Sequence, residues 1–213
     1  MNRLPTWVRQ HIVGLRVLLL FTVICGIVYP LVMTGIAQVA FHKQADGSLA
    51  SYNGRTVGSS LLCQEFVDAK GNPLPEYFQP RPSAAVNASD KTDYGCDPGF
   101  SAASNLGPTN PTLIQQIQQR QKQIAAFDHV PVSQIPPDAV TASGSGLDPG
   151  ISPQNAAIQV NRVAAARHLP VSTVKQLVAA NTSGRVLGFL GEPAVNVLEL
   201  NIALDQLSAK SGH

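Results

Sequence analysis

Val17 to Phe41 is a run of 25 residues without a formal charge, VLLLFTVICGIVYPLVMTGIAQVAF. As a helix it would measure about 37 Å at about 1.5 Å per residue, and a bilayer's hydrocarbon core is about 30 Å thick. A buried core helix is rarely this long and apolar all round. A cleaved signal peptide would carry an apolar stretch of only about 7–15 residues, so Gly35-Ile36-Ala37, which resembles a cleavage site, follows too long a run. The reading is a retained transmembrane helix. Pro30 interrupts its middle and frees a backbone carbonyl, so a kink is expected there. Gly26, Gly35 and Ala37 offer small surfaces for helix packing.

Arg3, Arg9 and Arg16 precede the span with no acid among them, while Lys43 and Asp46 follow it. The positive-inside rule then puts residues 1–16 in the cytoplasm, 17–41 in a bacterial inner membrane and 42–213 outside as one extracytoplasmic domain. Beyond Lys43 the chain has eleven basic and thirteen acidic residues. That near-neutral balance gives no field to hold nucleic acid. The whole chain is 13% charged, against about 25% in ordinary soluble domains. The span accounts for only part of this, because the 170 residues from 44 onward carry only 24 charges. A surface partly covered by partner subunits explains such a domain, and so does a surface rich in Gln, Asn and Ser.

Cys25 lies in the span and reads as a small apolar residue. Cys63 and Cys96 lie in the outer domain, in an oxidising compartment if the topology holds. They either pair, which would stabilise by about 3–4 kcal/mol in the chain-entropy model, or stay as two free thiols. Both remain open. His11, His42, His129, His168 and His213 are scattered singly, with no metal-ligand spacing.

In the outer domain, Asn53-Gly54 and Gly58-Ser59 are turn signals. Ser60 to Cys63 is compatible with a short strand. Residues 71–112 form a long irregular region, to which Tyr77, Phe78, Tyr94 and Phe100 give apolar surface to pack. Asn110 caps a helix with Pro111 at its first position, and Ile114, Ile117 and Ile124 share a face through to about Phe127. Ser152 caps a second helix with Pro153 first, to about Leu169, and a third runs from about Ser172 to Ala180. Val186–Leu190 and Ala194–Ile202 read as a β-hairpin about the Gly191-Glu192-Pro193 turn, since Leu198, Leu200 and Ile202 alternate with Glu199 and Asn201. The fold class is α+β: one N-terminal transmembrane helix followed by a single extracytoplasmic α+β domain.

Catalytic signals are thin. Asp148, in Leu-Asp-Pro-Gly, has no second carboxylate or His beside it in sequence, and reads as an Asx-type turn former. Ser143 and Ser145 lack the first Gly of a nucleophile elbow. The Gly146–Gly150 stretch precedes a helix start, as a phosphate cradle would, but has no Walker lysine. Arg162 and Arg167 suit either a solvated face or an acidic partner. These residues leave two classes, an accessory subunit of a membrane complex and an anchored extracytoplasmic enzyme.

Five strings favour the first, with the anchored enzyme kept as the alternative. Tyr77-Phe-Gln-Pro-Arg-Pro-Ser-Ala84, Ser104-Asn-Leu-Gly-Pro-Thr-Asn-Pro111, Thr141-Ala-Ser-Gly-Ser-Gly-Leu-Asp-Pro149, Gln159-Val-Asn-Arg-Val-Ala-Ala-Ala-Arg167 and Leu190-Gly-Glu-Pro-Ala-Val-Asn-Val-Leu198 closely resemble the KdpC family, in the same order and over nearly the whole chain. The family supplies subunits of the bacterial high-affinity potassium-transporting (Kdp) ATPase. Gly150 stands where the family commonly has His, Cys63 where Gly is usual, and residues 86–103 look longer and different. The resemblance implies assembly with a channel-like potassium-translocating subunit (KdpA), a P-type ATPase subunit (KdpB) and a small single-span subunit (KdpF) in the membrane lipid. It implies no catalytic residue and no tightly bound cofactor in this chain, with ATP and K+ handled by the complex. It also implies a catalytic chaperone that raises the ATP affinity of the ATPase subunit, with Gln159 matching the glutamine proposed to contact nucleotide. Positive-inside topology opposes such a contact, because ATP is cytoplasmic and Gln159 falls outside. Interface or fold-defining roles are expected for Tyr77, Phe78, Arg81, Asn105, Asn110, Ser145, Asp148, Arg162 and Arg167.

Overall fold

The computed structural model describes residues 5–87, 89 and 94–211, so Arg3 and His213 lie outside the described residues. Two compact units divide the chain at Ser48/Leu49.

The first unit is helical. α1 (Thr6–Val23) runs through one π turn (Ile24–Val28) into α2 (Tyr29–Ala40), and a single turn, α3 (His42–Ala45), follows. The Tyr29 N–H donates to the Ile24 carbonyl, five residues back. This wider turn comes immediately before Pro30, whose ring would crowd an ordinary turn and whose missing N–H frees a carbonyl. A π turn thus stands where the sequence leads one to expect a kink. Thr6–Ala40 is long and apolar enough to cross a membrane, and none of it is buried in protein. Leu, Val, Ile and Phe side chains stand exposed all around it, which only hydrocarbon or neighbouring helices would tolerate.

The second unit opens with a hairpin of β1 (Leu49–Tyr52) and β2 (Arg55–Ser59). Its Asn53-Gly54 turn has both φ angles positive, at 49° and 75°, as the twist of a two-residue hairpin loop requires. Gly58-Ser59 is not a turn but the end of β2, and Ser60 to Cys63 is not a strand. The Leu62 N–H folds back onto the Ser59 carbonyl instead. The irregular region follows, with Phe78 fully buried while Phe100 stays half-exposed.

Four longer helices follow, α4 (Pro111–Asp128), α6 (Pro153–Ala166), α7 (Val171–Ala180) and α8 (Val197–Ser211), with the one-turn α5 (Pro137–Val140) between the first two, and α6, α7 and α8 supply the helical part of the core. The Asn110 side chain accepts from the Thr112 N–H and Ser152 Oγ from the Asn155 N–H, so both predicted caps form. Ile114 is exposed, off the face of α4 that half-buries Ile117 and Ile124. A small antiparallel sheet places β5 (Ala194–Asn196) between β3 (Gly150–Ile151) and β4 (Thr182–Ser183). The core packs Phe78, Ile151, Val160, Val163, Val174, Val195, Val197, Leu200 and Leu204.

The expected β-hairpin at 186–202 is wrong in both arms: Val186–Leu190 turns back on itself, and the strand that follows pairs with β3 and β4 instead. Val186 and Leu190 make one isolated bridge, β5 ends at Asn196, and a helix begins at Val197. Val197, Leu200, Asn201 and Leu204 are buried at helical spacing, which outweighs a five-residue alternation once the helix packs. Asn196 Oδ1 caps that helix by accepting from the Glu199 N–H at 3.0 Å. The architecture is a long N-terminal apolar helix and a mixed α+β domain.

Candidate functional site

Two of the five strings, Tyr77–Ala84 and Gln159–Arg167, meet at one internal joint. The segment from Pro75 to Gln79 begins in a turn, closed by the Tyr77 N–H on the Leu74 carbonyl at 3.3 Å, and belongs to no sheet. Its carbonyls are satisfied one after another by side chains. Arg162 Nη1 donates to Pro75 O at 2.7 Å and to Tyr77 O at 2.9 Å. Arg167 Nε donates to Glu76 O at 2.6 Å. Asn201 Nδ2 donates to Phe78 O at 2.9 Å, and Gln159 Nε2 to Gln79 O at 3.2 Å. The same two amides return the favour. Asn201 Oδ1 accepts from the Phe78 N–H at 2.9 Å, and Gln159 Oε1 from the Gln79 N–H at 2.8 Å. Each amide thus mimics one rung of a β-ladder, Gln159 from α6 and Asn201 from α8. Buried backbone groups need partners, and here helix side chains supply what a neighbouring strand would.

Helical spacing explains how α6 does this. Asn155, Gln159 and Arg162 are four and three residues apart, hence on one face. Gln159 Nε2 also donates to Asn155 Oδ1 at 3.0 Å, and Gln159 Oε1 accepts from Arg162 Nη2 at 2.8 Å. Both ends of the Gln159 amide are therefore occupied by protein, and the residue is 4% exposed.

Charge is balanced inside the joint. Arg162 Nε meets Asp128 Oδ1 at 2.7 Å with both side chains 5% exposed, and its guanidinium lies 4.3 Å from the Phe127 ring centroid. Burial pulls Arg162 below its ordinary range and pushes the Asp128 carboxyl up, each opposed by the attraction of the other. Arg167 pairs with Asp205 at 2.7 Å and lies 4.7 Å from the Tyr77 ring centroid. Burial, then the Asp205 charge, raises the Tyr77 phenol above its ordinary range. Neither arginine is on a solvated face, and the acidic partners are internal. Phe78 and Arg162 are buried and the Arg167 side chain is 7% exposed, so of the two roles expected of them the structure displays the internal one.

A second joint binds the Tyr77–Ala84 string to the Thr141–Pro149 string. Arg81 Nη1 meets Asp148 Oδ2 at 3.0 Å, and Asp148 Oδ1 accepts from the Gly150 N–H, the expected Asx turn. Arg81 Nε is buried without a hydrogen-bond partner. Ser83 Oγ donates to Gly146 O at 2.6 Å and accepts from the Ala85 and Cys96 N–H groups. Gly146 has φ +72°, and a Cβ there would stand 2.5 Å from the Ala102 carbonyl oxygen. Only glycine fits. Cys63 and Cys96 form a disulfide beside this joint, with Cα atoms 5.5 Å apart. Ser145 is exposed, and its carbonyl accepts from the Ala102 N–H. Asn105 is exposed at φ 51° and Asn110 is the helix cap.

Between the joints runs a groove of about 760 Å³ lined by Gln79, Arg81, Tyr94, Arg120, Gln123 and Phe127, among others. Arg120 donates to the Val140 carbonyl at 2.9 Å. Among the described residues no group of three or more His, Cys, Asp or Glu is placed to hold a metal. The residues missed in the sequence are Ser83, Asp128, Asp138, Asn201 and Asp205. Asp138 holds the start of α6 by accepting from Ser152 N, Ser152 Oγ and Asn155 Nδ2. A polar residue amid apolar ones at helical spacing, as Asn201 is, was the available signal.

Three of the five strings thus build the two internal joints, and the chain as a whole is similar to known proteins. A protein of Mycobacterium tuberculosis (strain ATCC 25618 / H37Rv), a potassium-transporting ATPase KdpC subunit, is 46% identical over 200 residues, covering 93% of this chain and 99% of its own. One of the same name from Acidobacterium capsulatum is 48% identical over 197 residues, covering 91% and 98%. A third, from Kineococcus radiotolerans, is 48% identical over 201 residues, covering 94% and 95%. The family model described as the c chain of the K+-transporting ATPase matches residues 11–206, and the chain belongs to that family, KdpC.

Proposed function

We propose that this chain is the accessory, non-catalytic subunit of an ATP-driven high-affinity potassium uptake complex, built with KdpA, KdpB and KdpF. The family match over residues 11–206 carries this reading. The chain is anchored by its one long helix in the inner membrane, whose lipid and partner helices take up the apolar surface of Thr6–Ala40. The N-terminus, with Arg9 and Arg16, is cytoplasmic and the α+β domain is outside. The domain packs over the potassium entrance and stabilises the assembly. Any rise in the ATP affinity of the ATPase subunit passes through the membrane subunits. Gln159 is a strut in that domain, because the Gln79 backbone, Asn155 and Arg162 take up its amide.

Co-purification tests the assembly. The tagged chain should bring down a P-type ATPase subunit, its deletion should abolish potassium-stimulated ATPase activity, and the chain alone should hydrolyse nothing. Turnover by the chain alone, or activity without it, would sink the reading. Gln159 is too buried to report topology, so exposed Ser145 serves, as Ser145→Cys in a Cys25→Ala background. An impermeant maleimide should label it from outside in intact spheroplasts. Labelling only after the membrane is opened would reverse the orientation.

A further inference from the structure

The segment from Arg185 to Glu192 takes no part in either joint. All eight residues are exposed, and Val186, Leu187, Phe189 and Leu190 are 66%, 78%, 68% and 49% exposed. No charge interrupts them, and Gly188 and Gly191 have nothing within 4 Å of where a Cβ would sit. The tip stands clear of the domain, yet it is ordered by its own bonds. Val186 and Leu190 exchange two backbone hydrogen bonds of 2.9 Å each, and Arg185 Nη2 closes the base on Glu192 Oε2 at 2.7 Å. Leu187 sits in the left-handed region at φ 54°, where a branched, bulky side chain is strained. The strain gains nothing for folding, because it directs an apolar side chain into solvent. Strain of this kind is typical of binding elements.

We infer that Val186–Leu190 is a preformed apolar knob that seats in an uncharged concave pocket on the outer face of a partner membrane subunit. The inference rests on the accessory-subunit reading. The four side chains expose on the order of 500 Å², toward the upper end for the largest patch on a monomer. A self-standing interface takes about 800 Å² from each side, so the knob is too small to hold two copies of this chain together. It suffices for a partner already kept close by a shared membrane, where the second contact is effectively intramolecular. The bilayer surface is a poorer occupant. Membrane-seated segments carry Trp, Tyr or free Lys and Arg at headgroup level; residues 183–196 hold no Trp, Tyr or Lys, and their one Arg is neutralised by Glu192.

The test uses the full complex in detergent. Leu187→Asp and Phe189→Asp should make the chain leave the diluted complex about tenfold faster or more, the scale of a buried anchor residue. An unchanged Tm and a closed Cys63–Cys96 bond would show that the domain still folds. Loss at the wild-type rate would overturn the inference. Independently, p-benzoylphenylalanine in place of Phe189, irradiated in native membranes, should give an adduct with a partner subunit. A lipid adduct alone, a dimer of this chain, or no adduct overturns it, and this result decides if the Asp variants misfold. If the wild-type chain itself fails to co-purify, the accessory-subunit reading fails with it. If the wild-type holds and both tests fail, only the knob is refuted.

Discussion

Gln159→Leu separates a structural glutamine from a nucleotide-binding one. Leucine keeps the volume but loses four hydrogen bonds, two accepted from the Gln79 N–H and Arg162 and two donated to the Gln79 carbonyl and Asn155. Arg162 keeps Asp128 and two carbonyls, so its share of the loss is small. The main cost falls on the Gln79 N–H and C=O. A buried backbone group left unpaired costs about 1–3 kcal/mol. Gln79 borders the groove, so water reaches it in part, and the total is about 2–4 kcal/mol. For a domain of this size that lowers Tm by about 4–16 °C. Calorimetry or far-UV circular dichroism on the detergent-solubilised chain should detect it. Tryptophan fluorescence would not, because the one tryptophan, Trp7, lies in α1. Gln159→Glu keeps the two accepting bonds and loses the two donating ones, so its deficit should be about half. That deficit should shrink at acidic pH, where a protonated Glu can again donate to Gln79 O. A Gln159→Leu chain melting within about 1 °C of wild type would refute the strut, as would a change in ATP affinity with stability untouched.

Gly146→Ala should destabilise by about 2 kcal/mol or more, since it adds left-handed strain to a collision with the Ala102 carbonyl. Gly144→Ala, with open space around it, should stay within about 0.5 kcal/mol; equal thermal shifts would contradict the close approach at Gly146. Denatured but unreduced chain should show one reactive thiol, Cys25, and reduction should lower stability by about 3–4 kcal/mol through the loop closed by a bond with sequence separation 33. Alkaline titration followed by tyrosinate absorbance should contain a late component that vanishes in Tyr77→Phe. Because the folded state raises the Tyr77 pKa above its ordinary value of 10.0, its contribution is complete below that value and is lost as pH climbs through the raised one. A titration without a late component would contradict the stacked, Asp205-facing position of the ring.

What could be read from the sequence was local. Asn110-Pro111 and Ser152-Pro153 start helices because a cap oxygen and a pre-set φ act within three residues. Val197–Ser211 was missed because Leu198, Leu200 and Ile202 satisfy a period of two over five residues. The better signal was Asn196 three residues before Glu199, a capping arrangement, with Leu200 and Leu204 four apart. The joints were out of reach for a different reason. Gln159 and Gln79 are 80 residues apart and Asn201 and Phe78 are 123 apart. What those amides recognise is backbone, which has no residue type to betray it. Five strings carry the family resemblance, and three of them build the joints.

The shortage of charge in the α+β domain now has a sharper form. Arg162 with Asp128, and Arg167 with Asp205, turn four of its charges inward, and Arg81 with Asp148 holds two more at the second joint. Asp138 is spent on the start of α6. Breaking such a buried pair costs about 3–5 kcal/mol, although making it stabilises little. These charges therefore specify where helices and loops meet more than they strengthen the fold. The surface left for solvent and partners is poorer still in charge than the sequence composition suggests, and the Val186–Leu190 tip is an apolar stretch of it. A surface of that kind associates through shape and apolar contact. Under the function proposed above, partners of such a domain would be chosen by fit, with the membrane anchor supplying the proximity that a strong electrostatic field would otherwise provide.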